Sequence, residues 1–258
     1  MIIRVLVMFA LLASAGAAHA FELLRVNHNP CNHNDQNLFW RQNTVAVSVA
    51  PLSSPYNDLA VEAWQTWNEN LVRTRFRFSA GNAPACVRDG VAAVSIADLP
   101  CGRAEGFGDA LAITRSIWNG SGELVDADVT FRPGTFVLND DAVFRQVAMH
   151  ELGHVLGLDH SDACGGSGEG TLMQAMFRFP TLDAPQADDV SGAEAIYLAN
   201  PGGGDGSVPS GANSCAIAAP RAGAHVAAPY IVLGVLLIIR GLQSAAGSVR
   251  RRRSGQGN

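Results

Sequence analysis

The order of segments predicts an α/β (α+β) domain, with helices layered on a mixed sheet. Three observations carry this. Five segments alternate or are rich in Val, Ile and Phe, as strands are. Three longer segments repeat their apolar residues at helical spacing. Along the chain these segments run β-α-β-β-β-β-α-α, and that mixture argues for a layered domain.

TVAVSVAP (44–51) alternates and is rich in valine. YNDLAVEAWQTWNENL (56–71) puts Ala60, Trp64, Trp67 and Leu71 on one helical face, so its tryptophans read as core. TRFRF (74–78) sets Phe76 and Phe78 against Arg75 and Arg77. GVAAVSIAD (90–98) is a further strand. ALAITRSI (110–117) and LVDADVTFR (124–132) are two more, joined by a turn at WNGSGE. Asn119-Gly120-Ser121 fits a glycosylation acceptor, but Asn-Gly is a hairpin signal and the turn is the default. AVFRQVAMHELGHVLG (142–157) and APQADDVSGAEAIYLA (184–199) are the remaining helices, and there is no internal repeat.

Composition sets limits on function. The 258 residues are 48% hydrophobic and 16% charged, which suits a globular chain. All 18 basic residues are arginine. Residues 21–200 hold 22 Asp and Glu against 11 Arg, a balance of 11 − 22 = −11. So acidic a body predicts no nucleic-acid partner, because phosphate binding needs clustered cations. A monomer is expected.

The ends read as targeting signals. Residues 1–20, MIIRVLVMFALLASAGAAHA, have an early Arg4, an apolar run and a final A-x-A, the pattern of a secretory signal peptide. The mature chain would begin at Phe21, with a body over 21–200 and a Gly/Pro/Ser-rich linker over 201–221. Residues 222–239 are nearly uninterrupted apolar sequence of membrane-spanning length, and Arg250 to Arg253 follow within a tail over 222–258. By the positive-inside rule the body would lie outside, anchored to the membrane through this span. The tail also resembles bacterial C-terminal sorting signals, with Cys215, the apolar span and the arginine cluster as its three parts.

Export would make the cysteines disulfide-forming. Cys86 and Cys101 bracket one expected strand and are paired on that ground, and Cys31 with Cys164 then follows by elimination. Four cysteines allow three connectivities, so the alternatives stay open.

The chemistry concentrates in HELGHVLGLDHS (150–161). His150 and His154 are four apart, so a helix presents both on one face, where they can grip one Zn²⁺. Glu151 sits beside the first ligand, where it can reach a metal-bound water. Gly157 can take a left-handed conformation that ends the helix, which lets His160 return to the metal. Three neutral histidines leave a fourth position open, the arrangement of a catalytic zinc.

H-E-x-x-H-x-x-G-x-x-H resembles the metzincin signature, which requires a later methionine turn. TLMQAMF (171–177) follows, and Met173 is the candidate, with Met176 the alternative. Ser161 after His160 is similar to the matrixin branch, the matrix-metalloproteinase-like peptidases, here of bacterial type. LAITRSIWNGSGELVDADVTF (111–131) and DDVSGAEAIY (188–197) resemble that branch as well.

The resemblance implies a twisted, mostly parallel sheet with one antiparallel edge strand, three helices and a cleft. Substrate would lie extended along residues 108–114, with Leu111 and Ala112 lining the cleft, and residues from Met173 to about Pro185 would wall the specificity pocket. It implies a zinc endopeptidase acting on extracellular proteins through a zinc-activated water, with Glu151 as general base. The alternative is a non-catalytic cell-surface binding module that retains the fold. Asp188 and Asp189 would tie the last helix to the floor of the site. Cys31 as a zinc latch competes with Cys31 in a disulfide, since no P-R-C-G-x-P-D switch is present. CGRAEGFGDALAIT lacks the histidines of the family's second zinc site, so one zinc is expected. Asp and Gly near 89–109 and 126–128 could supply oxygen ligands to Ca²⁺.

Overall fold

A computed structural model describes residues 21–199 and 211–219. The chain divides into units Met1–Pro220 and Arg221–Asn258, and all described residues lie in the first. The described strands are β1 (Glu22–Leu23), β2 (Phe39–Trp40), β3 (Thr44–Ser48), β4 (Arg77–Gly81), β5 (Val91–Ile96), β6 (Ala110–Trp118), β7 (Glu123–Phe131), β8 (Leu158–Asp159) and β9 (Gly211–Ala218). The helices are α1 (Tyr56–Asn70), α2 (Asp141–Leu156) and α3 (Ala187–Ala199).

The main sheet has the order β4-β3-β5-β7-β6-β9, with β2 also pairing β7. Pairs β3–β4, β3–β5, β5–β7 and β2–β7 are parallel, and β6 runs antiparallel to β7. The expected mixed sheet and three helices are present. Helices pack against this sheet, and the buried positions of its parallel strands carry small, branched or aromatic side chains. Val45, Val47, Ala92, Val94, Val129 and Phe131 are all buried.

Helix α1 packs on α2 through Leu59, Ala60, Ala63 and Trp67, and the alanines permit close approach. Trp67 is fully buried and donates from Nε1 to the Met149 carbonyl at 2.8 Å, which meets the need of an indole N–H in a core. Trp64, expected on the same face, is only half-buried.

Helix α2 positions the site. Asp140 caps its start, accepting from the backbone N–H of Ala142 at 2.9 Å and Val143 at 3.1 Å. Gly157 ends it with φ of +103°. A Cβ there would stand 2.7 Å from the Leu38 carbonyl oxygen, so glycine is required by conformation and by space. The first described residues wrap this end of the helix. β1 pairs antiparallel with β8, Leu24 N–H donates to the Gly157 carbonyl at 2.8 Å, and Trp40 Nε1 donates to the Val155 carbonyl at 2.7 Å.

Four expectations are corrected. The strand expected at 74–78 begins at Arg77, because its partner β3 begins at Thr44, opposite Arg77. Residues 211–218, expected within a linker, form β9. β6 is therefore not the edge of the described sheet, since β9 pairs antiparallel along its length. Membrane anchoring is withdrawn, and with it the location inferred from it. Among the described residues no helix is long and apolar enough to cross a membrane. The span expected at 222–239 and the signal peptide expected at 1–20 lie outside the described residues.

Candidate metal centre and cleft

His150 and His154 project from the last turns of α2 and are fully buried. His160 follows Gly157 and β8, and returns to them. Ring centroids lie 4.8 Å apart for His150–His154, 5.3 Å for His150–His160 and 4.8 Å for His154–His160. One ligand atom from each falls within 4.8 Å of the others.

Backbone carbonyls set the tautomers. His150 Nδ1 lies 2.8 Å from the Leu172 carbonyl, and His154 Nδ1 lies 2.8 Å from the Leu158 carbonyl. A carbonyl only accepts, so each Nδ1 carries the proton and each Nε2 presents a lone pair. Those two Nε2 atoms are 3.1 Å apart. Two buried lone pairs at that distance repel unless a cation lies between them. Tetrahedral zinc would hold two imidazole nitrogens roughly 3.3 Å apart, so the donor set fits zinc closely. Burial, with His160 nearby, pulls the His150 imidazole down to about 3, and burial pulls His154 well below its usual value. Both rings are therefore neutral and ready to ligate.

The third histidine is fixed by its surroundings. His160 N–H donates to Asp159 Oδ1 at 2.7 Å. Ser161 N–H donates to the Met173 carbonyl at 2.9 Å, joining the ligand segment to the methionine turn. Cys31–Cys164 closes as a disulfide and pins the loop after His160, so the alternative of Cys31 as a latch falls. Cys86–Cys101 also forms.

Met173 is buried beneath this cluster. The nearest neighbours of a Cβ built on Gly153 are Met173 Sδ and Cε, so the thioether lies directly on the helix between the two ligands. Asp189, at the start of α3, holds the turn by accepting from the N–H groups of Leu172 (2.8 Å), Met173 (3.1 Å) and Gln186 (2.7 Å). Burial raises its carboxyl despite these bonds.

Glu151 faces β6. Its Oε2 accepts from the Thr114 hydroxyl at 2.6 Å, and its Oε1 accepts from Ile217 N–H at 3.3 Å. Burial pushes this carboxyl up to about 8. A cation on the adjacent histidines would favour the charged form. Thr114 was not singled out from sequence. Its signal was weak, a polar residue facing inward on a strand among other alternating positions.

Ala112 stands in register with Ile217 across β6–β9, and Leu111 falls where that register shifts. Residues 169–182 wall a cavity of about 330 Å³ that includes Gln146, Leu172, Met176, Phe177 and Leu182, with Ile217 on its lining. Of the acids considered for calcium, Asp126 and Asp128 each use one oxygen locally, and the Oδ2 atom of each is buried without a hydrogen bond among the described residues. Asp126 Oδ1 accepts from Gly90 N–H at 3.1 Å, and Asp128 Oδ1 accepts from Ala93 N–H at 3.0 Å.

Two buried histidines on a helix, a third that returns from beyond its end, a neighbouring glutamate and a buried methionine beneath them form a cluster that could hold a metal, arranged as in metzincins. The Matrixin family model, peptidase M10, matches residues 15–198, and the chain belongs to that family. No curated protein matches this chain. At the family level it is a metalloprotease of a kind that normally binds zinc.

Proposed function

We propose that this protein is a zinc-dependent endopeptidase whose ligands are His150, His154 and His160 and whose general base is Glu151. The observation that carries this is the convergence of three histidines, two of them buried and neutral, beside a buried carboxyl group that faces an extended peptide strand. The bound metal supplies Lewis acidity toward a scissile carbonyl and lowers the pKa of water.

The chain's own residues do the rest. Glu151 accepts the proton of the attacking water and delivers it to the leaving nitrogen. Thr114 holds one oxygen of that carboxylate in place. β6 receives the substrate by main-chain hydrogen bonds. The cavity over residues 169–182 takes an apolar side chain next to the cleaved bond. Met173 supports the histidines from below, and Asp189 holds the methionine turn.

The test is zinc content and cleavage of a quenched peptide library by the full chain, wild type and Glu151→Gln side by side. One zinc in each, with cleavage reduced by at least ~10²-fold only in the mutant, supports the reading. Absence of zinc from the wild type would sink it.

A further inference from the structure

The body of the protein has a cleft between β6 and the segment 175–177, and the chain fills it with its own residues 211–219. β9 runs antiparallel to β6 along 110–118. On its other side it meets the cavity wall in parallel, with Met176 opposite Ala218. Ala218 N–H donates to the Ala175 carbonyl at 2.8 Å, and Phe177 N–H donates to the Ala218 carbonyl at 3.0 Å. Ala219 N–H donates to the Asp109 carbonyl at 3.3 Å. These bonds grip both sides of the segment, so its register is fixed rather than sliding.

That register puts one peptide bond at the chemistry. Ile217 is 1% exposed and its side chain lines the apolar cavity. Its backbone nitrogen is the one that lies 3.3 Å from Glu151 Oε1. Glu151 is the group proposed to protonate a leaving nitrogen, and the bond that ends on this nitrogen is Ala216–Ile217. The flanking sequence Cys215-Ala216-Ile217-Ala218-Ala219 has one bulky apolar residue, and that residue stands at the lining of the cavity. Residues 200–210 join the segment to α3 in the same chain, which gives it an effective concentration of order mM without a second molecule.

We propose that the chain is its own substrate, bound through residues 211–219 and cut between Ala216 and Ile217. This rests on the peptidase reading above. Water oxygen bonds to the Ala216 carbonyl carbon as the Ala216–Ile217 C–N bond breaks. Glu151 carries one proton from the water to the Ile217 nitrogen. The second proton of the water also passes to that nitrogen, so the products are a new carboxylate at Ala216 and a new α-ammonium at Ile217, with no oxidant or co-reactant beyond water. The cut separates residues 217–258 from the body. It also frees residues 211–219 from their pairing along β6, which opens the cleft to other peptides.

The test starts from metal-free full chain, to which zinc is added, with intact mass and N-terminal sequencing followed over time. The wild type should yield a fragment beginning at Ile217, with a rate constant unchanged over tenfold dilution, while Glu151→Gln stays whole. A second readout needs no activity. In Glu151→Gln the backbone amides of 211–218 should resist hydrogen exchange, and adding Ile217→Asp should remove at least tenfold of that protection. Fast exchange there before the second change would overturn the docking.

Peptide cleavage by wild type or by Ile217→Asp, with Ala216–Ile217 intact in the zinc-loaded wild type, would overturn self-cutting and leave the peptidase standing. Failure of both proteins to cleave any added peptide, with the zinc-loaded wild type also staying whole, would remove the peptidase reading and this proposal together.

Discussion

Replacing Asp189 by alanine should damage two things at once, and their sizes follow from the bonds it makes. Asp189 is 1% exposed and accepts three backbone N–H groups, those of Leu172, Met173 and Gln186. The first two bonds are buried and have no route to water. Each orphaned buried donor costs about 1–3 kcal/mol, so the pair costs about 2–6 kcal/mol. The Gln186 bond is only part-buried and contributes less. Against this, alanine removes a carboxylate whose own burial is unfavourable, which brings the expected loss to about 2–4 kcal/mol. That is a large share of a typical 5–15 kcal/mol.

The second effect reaches the metal. Leu172 lends its carbonyl to His150 Nδ1, so loosening the turn releases the tautomer of a ligand. Losing such an outer partner typically costs 10–100-fold in metal affinity. Urea unfolding of metal-free protein measures the first effect, and zinc titration against a competing chelator measures the second. A stability loss under 1 kcal/mol with unchanged zinc affinity would refute the claim that Asp189 holds the methionine turn.

Three more outcomes are expected. Thr114→Val should keep zinc bound but lower kcat for peptide cleavage by about tenfold, since Glu151 loses a charge-assisted hydrogen bond; an unchanged kcat would count against it. Cys31→Ser with Cys164→Ser should cost about 2–4 kcal/mol, because the disulfide joins positions 133 residues apart; a thermal unfolding midpoint equal to wild type would speak against this. The contribution of Asp128 to stability should fall as pH rises between about 4 and 7. Burial, with Asp126 nearby, pushes the Asp128 carboxyl up to about 7, so the folded state binds more protons than the unfolded state across that window. At about 1.4 kcal/mol per pH unit, the loss across the window is at most about 4 kcal/mol, and Asp128→Asn should flatten the slope measured by urea unfolding at pH 5 and pH 8.

The sequence exposed the central elements because their physics is local. α1, α2 and α3 repeat apolar residues at helical spacing, and β5, β6 and β7 are dense in branched side chains. The residues from His150 to His160 were legible because four chemically distinctive side chains fall at the spacing of a metal-ligand motif. What escaped notice depends on partners far along the chain. β1, β2 and β8 are two residues each and exist only through their pairing. β9 reads GANSCAIA, small and polar residues with no alternation, inside a stretch whose composition signals a linker. Its strand character comes from the open edge of β6, which lends it hydrogen-bond partners. Thr114 was missed because nothing in ALAITRSI reveals which alternate residue meets a carboxylate on a helix.

The wrapping of α2 by residues 22–40 bears on how the protein matures. β1 pairs with β8 immediately before His160, and Cys31 is bonded to the loop just beyond it. These contacts join the earliest described residues to positions more than a hundred later, so closing them is entropically slow. As the chain is synthesised, the N-terminal segment waits without its partners until the histidine loop has emerged. The helix that carries His150 and His154 can form before then, but the third ligand gains its support only when the early strand docks. Assembly of the three-histidine cluster is thereby a late event in folding, and a chain interrupted before about residue 164 lacks the contacts that support its third member.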